Sequence, residues 1–306
     1  MPWKKGQRPK FVREQAATGA TAGIYQEIRE SLGLPFVPVP FLIFAAYPRF
    51  LELEWAALRP LVQTPEFFAL ADRLRADGYT RAHSYFQIPD LCQRVEDLRF
   101  SSGARHELTD TIEMLHYADA LLLLLMCAQL QAFDHKVGKS ASVSDTSGKR
   151  DASARLRFTQ RPVLIEEESA PNPIRKLFED IKRTTAMPWV STDFLAMARW
   201  PEFLAAYWQV MKPLVQSPIY SESASAVCDT AWELTRELPV MLELTCDQLT
   251  DAGMEDEDVG ACVRLIEMFV KKLSGMALNI SAAKISLEGG SAATTHLTSE
   301  ELPTAA

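Results

Sequence analysis

A segment of 34 residues occurs twice in this chain, and this repeat limits the possible folds more than any other feature. Residues 187–220 align without a gap on residues 34–67, and 14 of the 34 positions are identical. The four residues from Pro60 to Gln63 return unchanged as the four from Pro213 to Gln216. A repeat of this length predicts that one structural unit is present twice.

The two copies differ at the point where a helix is predicted to begin. Pro38-Val39-Pro40 in the first copy corresponds to Ser191-Thr192-Asp193 in the second. Positions that both copies share serve the fold, so a carboxylate present in one copy is the first candidate for chemistry. The alternative is structural: Thr192 or Asp193 caps the helix, and its side-chain oxygen accepts a hydrogen bond from an amide of the first turn.

Hydrophobic periodicity indicates helices along the whole chain. The first, beginning at Ala22, carries Ile24, Ile28 and Leu32 on one stripe and ends near Gly33. No long stretch alternates apolar and polar residues between turn signals, so the predicted class is all-α. Further helices are predicted over residues 41–46, 48–58, 65–75, 84–97, 107–133, 174–184, 223–238, 242–250 and 256–287.

The repeat and the local composition together predict the domain organisation. We expect two tandem helical repeats, residues 20–135 and 174–288. Residues 136–173 are rich in serine, glycine and charge and are predicted to form a long linker. Residues 1–19 are predicted to form an N-terminal arm, and residues 289–306 a disordered tail.

The composition is that of a globular protein with an acidic surface. Hydrophobic residues make up 47% and charged residues 24%, and the net charge of −8 argues against nucleic acid or an anionic membrane surface as partner. The longest apolar run, residues 118–128, is too short to span a bilayer and predicts a buried helix. No secretory signal is visible and the five cysteines form no CxxC pair, so we expect reduced thiols and a cytoplasmic protein.

Common catalytic signatures are absent from the sequence. There is no GxSxG motif for a nucleophilic serine, and the five histidines form no cluster suited to a metal ion. Carboxylates remain, and Asp193 stands out because Trp189, Phe194 and Trp200 flank it. An aspartate held among aromatic rings is partly desolvated, which makes it a stronger base.

Several motifs make the chain similar to a known family. They are the residues from Ile24 to Val37, Ala46-Tyr47-Pro48 with Phe50 and Leu51, Tyr117 with the leucines behind it, and most specifically Ser191-Thr192-Asp193-Phe194 with Ala196, Ala198, Trp200 and Pro201. From residue 24 to about 286 the chain resembles the group I 2-haloacid dehalogenases, the DehI-type family that acts on both enantiomers of 2-halocarboxylic acids. The resemblance implies an all-helical pseudo-dimer with its site between the repeats, and a homodimer in solution.

The resemblance also implies a mechanism and a set of site residues. The aspartate matching Asp193 deprotonates a water, and this water displaces halide at C2 with inversion, without an ester intermediate, a metal ion or an organic cofactor. Asp119, which stands where the family has an asparagine, and Thr192 would position the water. The residues implied for binding a small 2-halocarboxylic acid are Phe36, Val39, Tyr117, Trp189 and Ser191.

Two other functions are compatible with the sequence. In one, the protein is a non-catalytic helical scaffold or small-acid-binding protein, and Asp193 is only a helix cap. In the other, the same water-activating site hydrolyses a different small acid or ester. Release of halide from the two enantiomers of 2-chloropropionate separates both from dehalogenation.

Overall fold

The computed structural model describes residues 9–91, 100–134, 138 and 157–290, and within these ranges the fold is all-α, as predicted, without a β-strand. A short 3₁₀ helix at Glu14–Ala16 precedes the first α-helix. The α-helices are α1 Gly19–Leu32, α2 Val39–Phe44, α3 Pro48–Val62, α4 Pro65–Tyr85, α5 Ser102–Asp134, α6 Asn172–Thr185, α7 Thr192–Met197, α8 Pro201–Val215, α9 Pro218–Thr235, α10 Cys246–Asp251 and α11 Asp256–Leu287.

Prolines and left-handed residues set the helix ends around the repeated segment. α3 and α8 begin at Pro48 and Pro201, where the first turn does not need the amide hydrogen that proline lacks. α1 ends at Gly33, whose left-handed φ of 68° costs glycine little. The corresponding residue after α6 is Ala186 with φ 51°, so the same turn is made there with a Cβ present.

The two long helices, α5 and α11, form the centre of the fold. They pack on each other more extensively than any other pair of described helices. α5 is long and apolar enough to cross a membrane by length and composition, but 94% of its most apolar window is buried inside the protein. A helix that is apolar on all sides and surrounded by other helices is a core helix, in agreement with the prediction for residues 118–128.

Each short helix of the repeated segment packs on the long helix from the other half of the chain. α2 contacts α11, and α7 contacts α5. Within each half, α1 packs on α3 and α6 packs on α8. The crossed contacts place the N-termini of α2 and α7 beside the two central helices, where the candidate site lies.

Several side-chain contacts recur at the spacing of the repeat. The indole N–H of Trp55 donates a hydrogen bond to Glu27 at 2.9 Å. The indole of Trp208 donates one to Asp180 at 2.9 Å, and both residues lie 153 positions later in the chain. These paired contacts fit a duplicated unit, whose full extent stays a prediction.

Parts of the predicted arm and linker also pack on the helices. Glu14 accepts a hydrogen bond from the amide of Val37 at 3.0 Å. Glu167, in the predicted linker, accepts one from the amide of Val190 at 3.0 Å, again 153 positions later. Both segments therefore contribute to the folded body beside the candidate site.

The helix predictions differ from the structure mainly around α4. This helix runs to Tyr85 instead of ending at residue 75, because it packs along α5, α9 and α11 over its length. The predicted helix 84–97 is wrong over residues 86–91, which are not helical. There the amide of Leu91 donates to the Ser286 carbonyl at 2.8 Å, a contact between distant segments that periodicity does not reveal.

Some predictions fall on residues outside the described ranges. These are the predicted helix from residue 92 to 97, the linker from 139 to 156 and the tail from 291 onward. The four cysteines in the described part of the chain are free thiols, as expected.

Candidate active site

Asp193 lies in the first turn of α7, buried where α7 packs on α5. The residue is 1% exposed, and apart from the neighbouring Asp119 no described side chain donates a hydrogen bond to its carboxylate oxygens. The residue preceding the helix is Ser191, and no side chain caps this end. The alternative interpretation, in which Thr192 or Asp193 serves as the helix cap, is therefore wrong.

Asp119 on α5 interacts with Asp193 as a second buried carboxyl group. It is 3% exposed, and one of its carboxylate oxygens also lacks a donor. The two side chains lie close enough to form a hydrogen bond once one of them carries a proton. Two ionised carboxylates in a buried site repel each other, so the pair retains one proton.

The environment separates the roles of the two carboxyl groups. Burial raises the pKa of Asp193 to about 7, while the hydrogen bond with Asp119 acts in the opposite direction. Burial, followed by the charge of Asp193, holds the pKa of Asp119 well above its ordinary value. The favoured arrangement is a protonated Asp119 that donates to an ionised Asp193. A carboxylate that ionises near pH 7 is well matched to accept a proton.

A small cavity of about 30 Å³ lies against the two carboxyl groups. Its polar wall consists of Asp119, Ser191, Thr192 and Asp193. The facing wall comes from the start of α2 and the segment before it and is apolar: Phe36, Pro38, Val39 and Pro40. A polar site of this size has room for water beside the carboxylates.

The structure brings seven of the eight predicted site residues together. Those that line the cavity are Phe36, Val39, Asp119, Trp189, Ser191, Thr192 and Asp193. Ser191 is 5% exposed, and its hydroxyl oxygen has no partner among the described groups, so it is available to a ligand. Trp189 is held by ring contacts with Phe11 and Phe269, at centroid distances of 5.9 and 6.3 Å.

Tyr117 does not line the cavity, and its predicted place in substrate binding needs correction. Its hydroxyl donates a hydrogen bond to the Leu32 carbonyl at 3.0 Å. Its ring lies 5.6 Å from that of Phe158, and the Arg157 guanidinium sits 4.6 Å from the ring centre. Residues two apart on an α-helix point about 200° apart, so Tyr117 faces away from Asp119. Tyr117 fastens α5 to α1.

Apolar residues of the two central helices also line the cavity, and the sequence analysis did not predict them. They are Leu115, Ala118 and Leu122 on α5, and Phe269, Leu273 and Met276 on α11. Leu115 and Leu122 stand four positions before and three after Asp119, a spacing that places them on its helix face. This spacing could have identified the α5 residues. None of the predicted site residues lies on α11, so the same spacing argument could not identify the α11 residues.

Metal-binding side chains are not grouped in the part of the chain that the structure describes. No set of three or more histidine, cysteine, aspartate or glutamate residues there could hold a metal ion. The chemistry available at the site is that of two coupled carboxyl groups and two hydroxyl groups.

Relatives with known names match most of the chain. The (R)-2-haloacid dehalogenase of Pseudomonas putida is 24% identical over 281 residues, which cover 89% of this chain and 91% of the relative. The configuration-inverting 2-haloacid dehalogenase of Pseudomonas sp. strain 113 is 22% identical over 230 residues, which cover 74% of each chain.

Solved structures share the fold. The complex of a D-2-haloacid dehalogenase mutant with D-2-CPA has a TM-score of 0.84 at 23% identity, over 92% of this chain and 96% of that chain. The complex of D-2-haloacid dehalogenase with L-LA has a TM-score of 0.83 at 24% identity, with the same coverage. A family model described as halocarboxylic acid dehydrogenase DehI matches residues 35–187, half of the chain. The protein therefore belongs to the DehI family.

Proposed function

We propose that the protein hydrolyses small 2-haloalkanoic acids to 2-hydroxy acids. The observation that carries the proposal is the buried pair of Asp193 and Asp119 against a cavity with room for water. The names of the relatives support the substrate class, since 2-haloacid dehalogenases match this chain over most of its length.

Asp193 is the general base in this proposal. Its ionised carboxylate accepts a proton from a water molecule as the water oxygen forms a bond to C2. The carbon–halogen bond breaks on the opposite side, the halide leaves with the bonding electrons, and the configuration at C2 inverts. No described side chain other than Asp119 donates to Asp193, so one of its two carboxylate oxygens is available for this proton.

Asp119 and Thr192 position the water. A protonated Asp119 donates its single hydrogen bond to Asp193 and holds that carboxylate beside the water, as the asparagine implied at this position by the family resemblance would do through its amide. An ionised Asp119 would repel both Asp193 and the anionic substrate. The single proton on the pair is therefore part of the proposed mechanism, and burial of both groups supports it.

The remaining lining residues divide the substrate between polar and apolar contacts. The Ser191 hydroxyl is buried without a described partner and can donate to the substrate carboxylate. Phe36, Val39 and Trp189 contact the alkyl group and the halogen. Apolar contacts of this kind exclude bulk water, which strengthens the electrostatic interactions inside the cavity.

Halide release tests the proposal directly. The purified protein is mixed with each enantiomer of 2-chloropropionate, and chloride and lactate are measured. We expect equimolar chloride and lactate, with inverted configuration from each enantiomer. Binding of the acid without chloride release would support a non-catalytic small-acid-binding protein. Hydrolysis of a different small acid or ester, without chloride release, would support a hydrolase with another substrate.

Isotope labelling distinguishes direct attack by water from an ester intermediate. In a single turnover in oxygen-18 water, the heavy oxygen should enter the 2-hydroxy acid and the carboxyl groups of the protein should stay unlabelled. Heavy oxygen recovered in Asp193 would rule out the role of general base.

Two further proposals, on the oligomeric state and the location of the protein, do not depend on the geometry of the site. One is a homodimer, which light scattering after size-exclusion chromatography would detect as twice the chain mass of 34.2 kDa. The other is a cytoplasmic location, which cell fractionation would test.

A further inference from the structure

A second pocket of about 260 Å³ adjoins the active-site cavity between α6, α9 and α11. The two spaces share three lining residues, Met187, Ser191 and Met276. Lys271 and Ser221, which also line the second pocket, are exposed. The pocket, called the vestibule below, therefore lies between the cavity and solvent.

The vestibule is positively charged in a protein whose net charge is −8. Lys271 and Lys272 line it, and none of the described residues that line it is acidic. The Lys272 ammonium group is fixed, because it donates a hydrogen bond to the Thr185 carbonyl at 2.8 Å. Burial, and after it the charge of Lys271, lowers the pKa of Lys272, as expected for two cations beside one space.

Two other pockets, both lined by Arg13 and Glu166, also adjoin the cavity and differ from the vestibule in charge. Both share Val39 and Thr192 with the cavity, and each shares one further residue, Trp189 or Phe36, so charge and not contact distinguishes them from the vestibule. The arginines that line them are already paired: Arg13 with Glu166 at 2.8 Å, and Arg161 with Glu14. Two further glutamates line one of these pockets, and one of them, Glu167, is paired with Lys182 at 2.6 Å. An anion is therefore attracted to the vestibule more strongly than to either of these two pockets.

We propose that the vestibule is the access route for the anionic substrate, with Lys271 and Lys272 attracting its carboxylate before it passes between Met187 and Met276 to Ser191. The inference rests on the proposed function, because it takes a 2-haloacid as the anion. Methionine side chains are flexible enough to let a small ligand pass. The lysines act on the approach of the substrate and do not touch the reacting atoms.

Replacing Lys271 with glutamine tests the charge of the vestibule. Lys271 is exposed, so the variant should fold normally. At low salt we expect kcat/KM for 2-chloropropionate to fall about fivefold, because electrostatic attraction raises the association rate, while kcat is unchanged. In about 0.5 M salt the difference should nearly vanish, since screening shortens the range of charges. The control is Lys176→Gln, which removes an exposed lysine that does not line the vestibule.

A second pair of variants separates charge from bulk. Ala224 lines the vestibule and is partly exposed. Ala224→Glu should lower kcat/KM more than Ala224→Gln, because the two side chains have nearly the same size and differ in charge. Equal kcat/KM in these two variants, together with an unchanged salt dependence in Lys271→Gln, would overturn the inference.

Failure of the access route and failure of the proposed function give different experimental results. If the unaltered protein releases no halide, the proposed function fails, and the vestibule is judged by the association rate of 2-chloropropionate in stopped-flow tryptophan fluorescence. Slower association in Lys271→Gln than in Lys176→Gln still supports the access route. Equal rates contradict it. If the unaltered protein releases halide and the variants match it at every salt concentration, the proposed function stands and the access route fails.

Discussion

The two walls of the active-site cavity come from corresponding parts of the chain and differ in polarity. Asp193 in α7 corresponds to Pro40 in α2, 153 residues earlier, and both line the cavity. Asp119 on α5 corresponds to Leu273 on α11, as aligned by the Ile-Glu-Met sequence that both helices contain, and both also line it. One wall therefore has two carboxyl groups where the other has a proline and a leucine.

Because of this difference, one cavity combines a base with a poorly solvated environment. Burial by the apolar wall disfavours the charge on both carboxyl groups and raises their pKa values. A polar group on the apolar wall would instead bring donors or water that lower them. The asymmetry between the walls is therefore the property to alter, and the variants below do so in order of decreasing effect.

The largest effect is expected for Asp193→Asn. We expect halide release to fall roughly 10²- to 10⁴-fold, the usual contribution of a general base, because an amide cannot accept the proton of water. The unfolding temperature should be unchanged or higher, because asparagine buries no charge. Initial rates of chloride release and thermal unfolding by circular dichroism provide the two measurements.

The matched control lies on the other wall. Pro40→Ala changes the corresponding position without touching either carboxyl group, and its rate should stay within a few fold of the unaltered protein. A general loss of activity in both variants would mean that the cavity is sensitive to any change. Near-normal activity in Asp193→Asn would remove Asp193 as the base.

A smaller effect is expected at Asp119, where two substitutions give different results. Asp119→Asn should preserve or raise halide release, because the amide still donates and cannot ionise. Asp119→Leu, which copies the residue at position 273, should lower kcat about tenfold, the value of a lost hydrogen bond to a charged group. Steady-state kinetics with both enantiomers measures this. Equal rates for asparagine and leucine would show that position 119 needs no donor.

The pH dependence of kcat tests the coupling of the two groups. Asp193 must be ionised to act, and its pKa is about 7, so kcat should rise with pH to half its maximum near pH 7. The hydrogen bond from Asp119 lowers this pKa, so Asp119→Leu should move the midpoint to higher pH. Rates measured from pH 5 to 9 show the shift. A midpoint that stays in place would mean that Asp119 does not act on the base.

The smallest effects concern stability at a second pair of corresponding positions, Glu54 in α3 and Tyr207 in α8. Both oxygens of Glu54 are buried without a described donor, and burial raises its pKa well above the ordinary value. In the unfolded chain this group ionises near pH 4, so the folded state loses stability as the pH rises above about 4. Glu54→Leu should therefore raise the free energy of unfolding at pH 7 by about 1–3 kcal/mol, with little gain at pH 4.

Tyr207→Phe is the control of opposite sign. The Tyr207 hydroxyl donates a hydrogen bond to the Asn279 carbonyl at 2.6 Å. Its removal should lower the free energy of unfolding by about 1 kcal/mol at both pH values, since no titration near pH 4 is involved. Urea unfolding at pH 4 and pH 7 measures both variants. A pH-independent gain in Glu54→Leu would contradict the explanation based on ionisation.

Local signals in the sequence were sufficient to predict most helices. Apolar spacing and the proline at position 48 located α3, and the glycine at position 33 located the end of α1. The non-helical segment 86–91 was missed because the amide of Leu91 at its end donates to a carbonyl of α11 instead of to its own segment. That contact joins residues nearly 200 positions apart, and periodicity carries no information about it.

The active-site residues were predictable where the two copies of the repeat disagree. Asp193 was identified because Pro40 occupies its place in the first copy. Tyr117 was misplaced because the family motif gave no helix face, although its position relative to Asp119 put it on the far side of α5. Leu273 carried no signal at all, since a leucine in an apolar helix has the same appearance in a core and in a cavity wall.

The crossed packing of the short helices on the long helices affects how the enzyme can diversify. Had two identical chains assembled around this cavity, every mutation would have appeared on both walls. An aspartate at position 193 would then have had a second copy across a space of about 30 Å³, and one of the two would have stayed protonated and unable to act as a base. In one continuous chain, Pro40 and Asp193 mutate independently. Mutations can therefore change the apolar wall to fit other haloacids while the base at position 193 is retained.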